Sequence, residues 1–335
     1  MSVAENLLTP TTTQSCFLPG TKIQFAWDST SIGLIKTCPR LYQYTMIDGY
    51  RPKGESIHLR FGGEFHQALW DYDTSRAAGI PHDDAVHDTI RELLIRTADF
   101  RPDPDTKAGR YKSREALIRA VILYLDHRRN DNMKTYILSN GKPAVELSFR
   151  FELGFGPYFY DDSRDTDPQA PQPYLLCGHL DRVCADPSGD LFVEDHKTTT
   201  TTPGDYFFNQ FEPSNQMSLY SYAGQIVLGA PIRGVAINAV QLLMTDPHAR
   251  FVRGFTFRNK DQLEEWLVDL SRWLQLAGWY ATNKEWPQND TACDKFGGCR
   301  FREVCAKSPS VRHIYLNSNF DKLPEEERWN PLRSR

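Results

Sequence analysis

Between Val145 and Glu152 the chain alternates: apolar Val145, Leu147, Phe149 and Phe151 are separated by Glu146, Ser148, Arg150 and Glu152. A period of two is that of a half-buried strand. Further on, two apolar runs flank Ala185-Asp186-Pro187-Ser188-Gly189-Asp190, a turn composition, and together they predict a hairpin. Other stretches repeat at helical spacing. Residues 61 to 76 carry Phe65, Leu69 and Tyr72 on one stripe, and residues 111 to 129 carry Leu117, Val121, Tyr124 and Leu125. Residues 83 to 98 and 213 to 228 read as helices, the latter opening at Pro213-Ser214. Residues 260 to 281 read as a helix burying Leu263, Trp266, Leu267 and Leu270. Strands are expected over 232 to 244 and 250 to 258. Residues 22 to 45 suit a short entry segment and a helix, with Trp27-Asp28-Ser29-Thr30-Ser31 as its start signal. The segment from Gly154 to Pro173, rich in Asp, Pro and Gln, reads as an exposed loop.

This order predicts an α/β protein, a mixed sheet flanked by helices. A helical lobe covers about 61–135, and a core of strands covers about 143–258. Residues 1–21 read as a mobile tail that includes Cys16, and residues 306–335 as a polar tail.

The hairpin carries the chemistry. Its first strand holds Gly178-His179-Leu180-Asp181-Arg182-Val183. Its second runs through Leu191, Phe192 and Val193 into Glu194-Asp195-His196-Lys197. Strand side chains alternate, so Asp195 and Lys197 share a face, and an antiparallel partner can bring Asp181 beside them. An apolar strand that ends in four ionisable residues is costly to bury unless each has a partner. Two carboxylates and an ammonium at one sheet edge suit metal-assisted phosphodiester cleavage: oxygen ligands hold a hard divalent cation, and the lysine orients water or stabilises phosphate charge.

Four motifs occur in order: Gly62-Gly63-Glu64-Phe65-His66, then Gly178 to Asp181, then Asp195-His196-Lys197, then Gln216-Met217-Ser218-Leu219-Tyr220. The ordered set resembles the PD-(D/E)xK nuclease superfamily, in particular its RecB-like, AddB-like branch, which includes CRISPR-associated adaptation nucleases and phage exonucleases. The resemblance spans about Cys38 to Cys305 and implies a restriction-endonuclease-like fold in a single nuclease domain over 22–305. It implies Asp181 and Asp195 as metal ligands, Lys197 as the catalytic lysine, His66 as a nitrogen ligand and the main-chain carbonyl of His196 as a further one. The His196 side chain is left to surface packing. Glu146 matches an acidic position on the first core strand. Gln216 and Tyr220, one helical turn apart, would line the cleft. Mg²⁺ is the expected ion, and a histidine ligand adds Mn²⁺.

Three of the seven cysteines form Cys-x5-Cys-x5-Cys: Cys293, Cys299 and Cys305, with Gly297-Gly298 between. In a reducing compartment clustered cysteines point to metal rather than disulfides. Three thiolates are one short of a tetrahedral site or a cubane, and Cys38 is the candidate fourth. Relatives with an iron–sulfur cluster likewise draw one cysteine from near the N-terminus, so the resemblance implies a [4Fe–4S] cluster on Cys38, Cys293, Cys299 and Cys305, with zinc as the alternative, in a cluster segment at 293–305. Cys177 and Cys184 read as core residues.

Composition narrows the reading. The chain has 335 residues, 40% hydrophobic and 24% charged, with net charge −4. That disfavours stoichiometric coating of nucleic acid and favours local engagement. Basic residues cluster at Arg119, Arg128, Arg129 and Lys134 and at Arg250, Arg253 and Arg258. No run of 18 apolar residues occurs, no membrane partner is expected, and the cytoplasm (the host's, for a phage protein) is the default location. The expected activity is exonucleolytic, on single-stranded DNA or duplex ends, in recombination, repair or replication, alone or with a single-strand annealing protein or a helicase. The alternatives are a non-catalytic or complex-dependent DNA-binding subunit and a CRISPR-adaptation-type nuclease.

Overall fold

The structure, a computed structural model, describes residues 15–156, 173–243, 250–294 and 298–333. Most of the predicted loop over 154–173 and residues 1–14 of the predicted tail lie outside them. In chain order the elements are β1 Ala26–Trp27, α1 Ser29–Thr37, α2 Pro39–Tyr42, β2 Tyr50–Pro52, α3 Ile57–Ala77, α4 His82–Arg96, α5 Lys107–Tyr111, α6 Arg114–His127, β3 Lys134–Thr135, β4 Val145–Glu152, β5 Leu175–Ala185, β6 Leu191–Thr199, α7 Asp205–Phe208, α8 Asn215–Leu228, β7 Gly234–Gln241, β8 Arg250–Thr256, α9 Lys260–Asn283, α10 Arg302–Cys305, α11 Pro309–Asn319 and β9 Phe320–Lys322. The chain divides into two compact units. One comprises Met1–Gly54, Ser148–Gly178 and Lys260–Arg335, the other Glu55–Leu147 and His179–Asn259.

In the first unit, β1 pairs in parallel with the start of β5, Ala26 opposite Leu175. Asp28 caps α1: its carboxylate accepts from the Ser31 amide at 2.8 Å, and the Ser31 hydroxyl answers the Asp28 amide. This reciprocal cap satisfies donors that a helix start leaves open. The two tails depart from expectation. Cys16 is 3% exposed, and its carbonyl accepts from the Phe25 amide at 2.9 Å. After Lys307 the chain forms α11 and then β9, which pairs antiparallel with β2. Trp329 then donates its indole N–H to Asp28 at 2.7 Å. The polar composition of 306–335 concealed these anchors because a few apolar and aromatic residues suffice to dock a short helix. On α9, Leu263, Trp266 and Leu270 are buried as expected, whereas Leu267 is half-buried.

The second unit holds a mixed sheet with helices on both faces. Strands β5 and β6 form the predicted hairpin, with Arg182 opposite Glu194. Strand β7 joins β6 in parallel, and β8 closes the edge antiparallel to β7. All eight residues of β7 are buried, which suits its nearly continuous apolar sequence. Helices α3, α4 and α6 bury Phe61, Phe65, Leu69, Tyr72, Leu93, Leu117, Val121 and Tyr124 in one core.

One glycine of the hairpin motif has a steric reason. A Cβ on Gly178 would lie 2.6 Å from the Phe149 ring, itself 3% exposed and stacked on Phe151 at 5.8 Å. The expected outcome for Gly178→Ala is a loss of about 1–3 kcal/mol, the usual cost of overpacking. Phe149→Leu should recover part of it in a double-mutant cycle read by denaturant unfolding.

Candidate active site

Strand β6 is buried on both faces through Glu194, Asp195 and His196, and its four ionisable side chains divide by alternation. On one face, Lys197 donates to the Asp195 carboxylate at 2.9 Å and to the side-chain oxygen of Gln216 at 3.1 Å. Gln216 in turn donates from Nε2 to the Tyr220 hydroxyl at 2.9 Å. Helix α8 thus delivers two residues of one turn to the lysine.

A second group lies at the same end of the hairpin. The closest atoms of His66 and Asp181, Nδ1 and Oδ2, are 3.2 Å apart. His66 Nε2 stands 3.0 Å from the His196 carbonyl, and the His196 amide donates to Asp181 at 3.3 Å. Donor atoms of His66, Glu146 and Asp181 all lie within 4.8 Å of one another, the one such trio of His, Cys, Asp or Glu among the described residues. Glu146 reaches it from a backbone with φ of 46°. That region is uncommon for a residue with a Cβ and is a form of strain found at functional sites. Asp195 stands outside this trio, with Lys197.

Electrostatics pushes the two aspartates apart. Burial alone would raise Asp181, but the His66 imidazole beside it outweighs burial and holds the carboxyl well below the usual range. Asp195 goes up: burial dominates over the Lys197 ammonium. Burial opposes charge on Lys197 too, yet Asp195 and Asp181 keep it protonated and raise its pKa. At His66, burial is overcome by Asp181 and the pKa rises to about 9. Without a cation the imidazolium stands between a carboxylate and a carbonyl, and binding of a divalent ion there would require it to give up a proton.

The opposite face was not legible beforehand. Glu194, fully buried, accepts from Arg182 at 2.5 Å, and Arg253 approaches its other oxygen at 3.2 Å. Arg128 pairs with Asp73 at 2.8 Å, and Arg253 pairs with Asp131 at 2.6 Å. Arg182 also donates to the Met133 carbonyl at 2.8 Å, tying β3 to β5. The His196 side chain, expected at the surface, is 3% exposed and bonded with the Tyr124 hydroxyl at 3.1 Å. Burial lowers its pKa to about 3, so it is neutral. Arg128 and Arg253, expected in basic clusters, are therefore internal counter-ions. Arg258 likewise turns inward, donating to Ser218 at 3.1 Å and to the Phe211 carbonyl at 2.8 Å. The available signal was the hairpin register, which sets Arg182 against Glu194, each a sequence neighbour of a catalytic candidate.

The cysteines of the first unit depart from expectation. Cys38 is buried, and Cys293, Cys299 and Cys305 are half-buried. Among the described residues no three of their sulfurs lie within 4.8 Å of one another, so they are not clustered as a ligand group for a [4Fe–4S] cluster or zinc, although Cys293 senses the charge of Cys299 and Cys38, and Cys305 that of Cys38 and Cys299. Each has other engagements. Cys38 Sγ accepts from the Asn289 amide at 3.3 Å, while Cys299 and Cys305 pack against Tyr44, Phe301, Val304 and Leu316.

The His66, Glu146 and Asp181 donors do fit a divalent ion. Two carboxylates and one imidazole make a mixed oxygen and nitrogen set suited to Mg²⁺ or Mn²⁺. The pattern that describes the PD-(D/E)XK nuclease superfamily matches residues 29–306, and the chain belongs to that superfamily of metal-dependent nucleases. Its mixed sheet flanked by helices is consistent with a restriction-endonuclease-like fold. Among solved structures, one described as "Crystal structure of SSO0001" is similar at a TM-score of 0.30 and 10% identity, over 74% of this chain and 76% of that one. None of the curated proteins matches. Among the described residues no helix is long and apolar enough to cross a membrane.

Glu194→Gln would leave Arg182 buried without its counter-charge, at a cost of about 3–5 kcal/mol at neutral pH. Burial raises the Glu194 pKa, but Arg182 and Arg128 overcome this and hold it near 2, below the ordinary 4.5. Its contribution is therefore present above about 4.5 and is lost as pH falls toward about 2. Guanidinium unfolding at pH 7 and at pH 3.5 should show the gap between variant and parent narrowing in acid.

Proposed function

We propose that this protein is a DNA nuclease of the RecB-like branch, acting as an exonuclease on single-stranded DNA or DNA ends in recombination, repair or replication in the cytoplasm. The observation that carries the reading is the convergence of His66, Glu146 and Asp181 within 4.8 Å, beside the Asp195–Lys197 pair on the next strand. His66, Glu146 and Asp181 would hold the ion, with Asp195 and the His196 carbonyl adjoining. When bound, a divalent ion supplies an acidified water and neutralises charge on the phosphate.

The residues divide the remaining work. Asp195 and Gln216 fix Lys197 from two sides, so its ammonium has one direction left in which to meet a phosphate oxygen or the attacking water. Tyr220, whose pKa burial raises well above the usual value, remains a neutral hydroxyl and orients Gln216. Glu146 and Asp181 place negative charge where the ion binds and so keep the phosphate from approaching uncompensated. A net charge of −4 favours short-range engagement of an end over coating of a strand. A single-strand annealing protein or a helicase is the class of partner this activity suits. The cysteines of the first unit have no part in the proposal.

The test is cleavage of end-labelled single-stranded, duplex and circular DNA with Mn²⁺ or Mg²⁺, alongside Lys197→Ala and Asp181→Asn. Metal-dependent loss of linear DNA that spares circles is expected, with each variant slower by about 100-fold or more, the scale of losing one stabilising group. Cutting of circles would replace the exonuclease with an endonuclease. Absence of cleavage on every substrate, with metal bound, would leave a DNA-binding or complex-dependent subunit.

A further inference from the structure

The second unit contains a cavity of about 340 Å³ on the sheet face that carries the Glu194 and His196 side chains, away from Lys197. It lies between the end of α6 and strands β7 and β8. Its rim is exposed and its floor buried: His127, Asn130 and Asn132 stand at the opening, and Asn238, 4% exposed, lies beneath with Arg253. The volume is at the lower end of the range of small-molecule sites, about 300–1,000 Å³.

The wall chemistry selects a ligand class. Arg253 is the sole cationic side chain in the lining, and every one of its nitrogens is committed. Nε donates to Asn238 at 2.6 Å, Nη1 to Asp131 at 3.0 Å, and Nη2 to Asp131 at 2.6 Å with Glu194 at 3.2 Å. A phosphate would meet two carboxylates and find no free cation. A metal ion would find Asp131 already occupied by Arg253 and by the Met133 amide at 3.0 Å. What the site does offer is neutral. The side-chain amides of Asn130 and Asn132 stand exposed in the lining, and the buried Nδ2 of Asn238 has no partner among the described residues. Ring surface is also present: His127, exposed at the rim, packs 4.9 Å from Phe251 and 6.4 Å from Tyr124, and those two rings lie 5.3 Å from each other. Amides offering both donors and acceptors next to a ring face are the means by which proteins read an unpaired base.

We infer that this cavity is a binding site for a single unpaired nucleobase, taken from a DNA strand or from a free nucleoside. Only the DNA source rests on the nuclease reading; the cavity's neutral, amide-lined chemistry does not. Asn238 pairs with His196 in the sheet register, so an occupied site would adjoin the strand that carries Asp195 and Lys197.

The experiment uses the full chain, with calorimetric titration of the four deoxynucleosides, of inorganic phosphate, and of a single-stranded oligonucleotide in EDTA. The same titrations are run on His127→Ala and Asn132→Ala, exposed positions whose folding is checked by circular dichroism. Nucleoside binding weakened fivefold or more by both variants, and unaffected by phosphate, supports a site open to free bases. Oligonucleotide affinity weakened by both variants without nucleoside binding supports a base presented by a strand. Unchanged affinity in both variants, or competition by phosphate, overturns the inference. Cleavage measured on the same preparations separates the two readings. A protein that cuts DNA but shows no effect of these variants loses the base site alone, and one that binds bases without cutting loses the nuclease alone.

Discussion

The structure of the second unit depends on one constraint: strand β6 buries Glu194, Asp195 and His196 together, and each charge must find a counter-charge inside the protein. An uncompensated ion there would cost several kcal/mol. Alternation along the strand resolves this by dividing the partners. Glu194 and His196 take Arg182 and Tyr124 on one side, while Asp195 takes Lys197 on the other. The side turned toward Arg182 balances its charges in internal ion pairs. The side turned toward Lys197 keeps its groups near the hairpin end, where a trio of metal donors also gathers.

The closed face explains why the open face is held in place. Arg182 binds Glu194 across the hairpin and also the Met133 carbonyl, and Arg253 joins Glu194 to Asp131. Three arginines (128, 182 and 253) and three carboxylates (Asp73, Asp131 and Glu194) balance in this network, so it adds rigidity without adding net charge. A strand anchored on one side presents the other with little freedom, which is what positioned carboxylates and a lysine require. The strained backbone of Glu146 belongs to the same pattern, since φ of 46° brings a third donor to His66 and Asp181.

The first unit obeys a different logic. Its cysteines are spaced in sequence as a ligand set would be, yet no three of their sulfurs gather within 4.8 Å among the described residues. The described parts of its tails are held by few contacts, among them the Asp28 carboxylate, which caps α1 and also receives Trp329. Composition alone read both ends as polar and loose, because composition counts residues and cannot register one well-placed indole.

The hairpin, its turn, the helices of the lobe and the alternation at Val145–Glu152 were legible in the sequence, because periodicity of two or of 3.6 is a local property. So were His66, Asp181, Asp195, Lys197, Gln216 and Tyr220 as candidates, through the order of their motifs. The tertiary structure alone decided which of them meet: His66 and Glu146 with Asp181, Asp195 with Lys197, and Gln216 with both Lys197 and Tyr220. It also decided that Arg128 and Arg253 are internal counter-ions and that the His196 side chain is buried and neutral. Those outcomes rest on strand register and on which helix covers which face. Such long-range facts follow from packing the whole sheet and leave no trace in the spacing of any single segment.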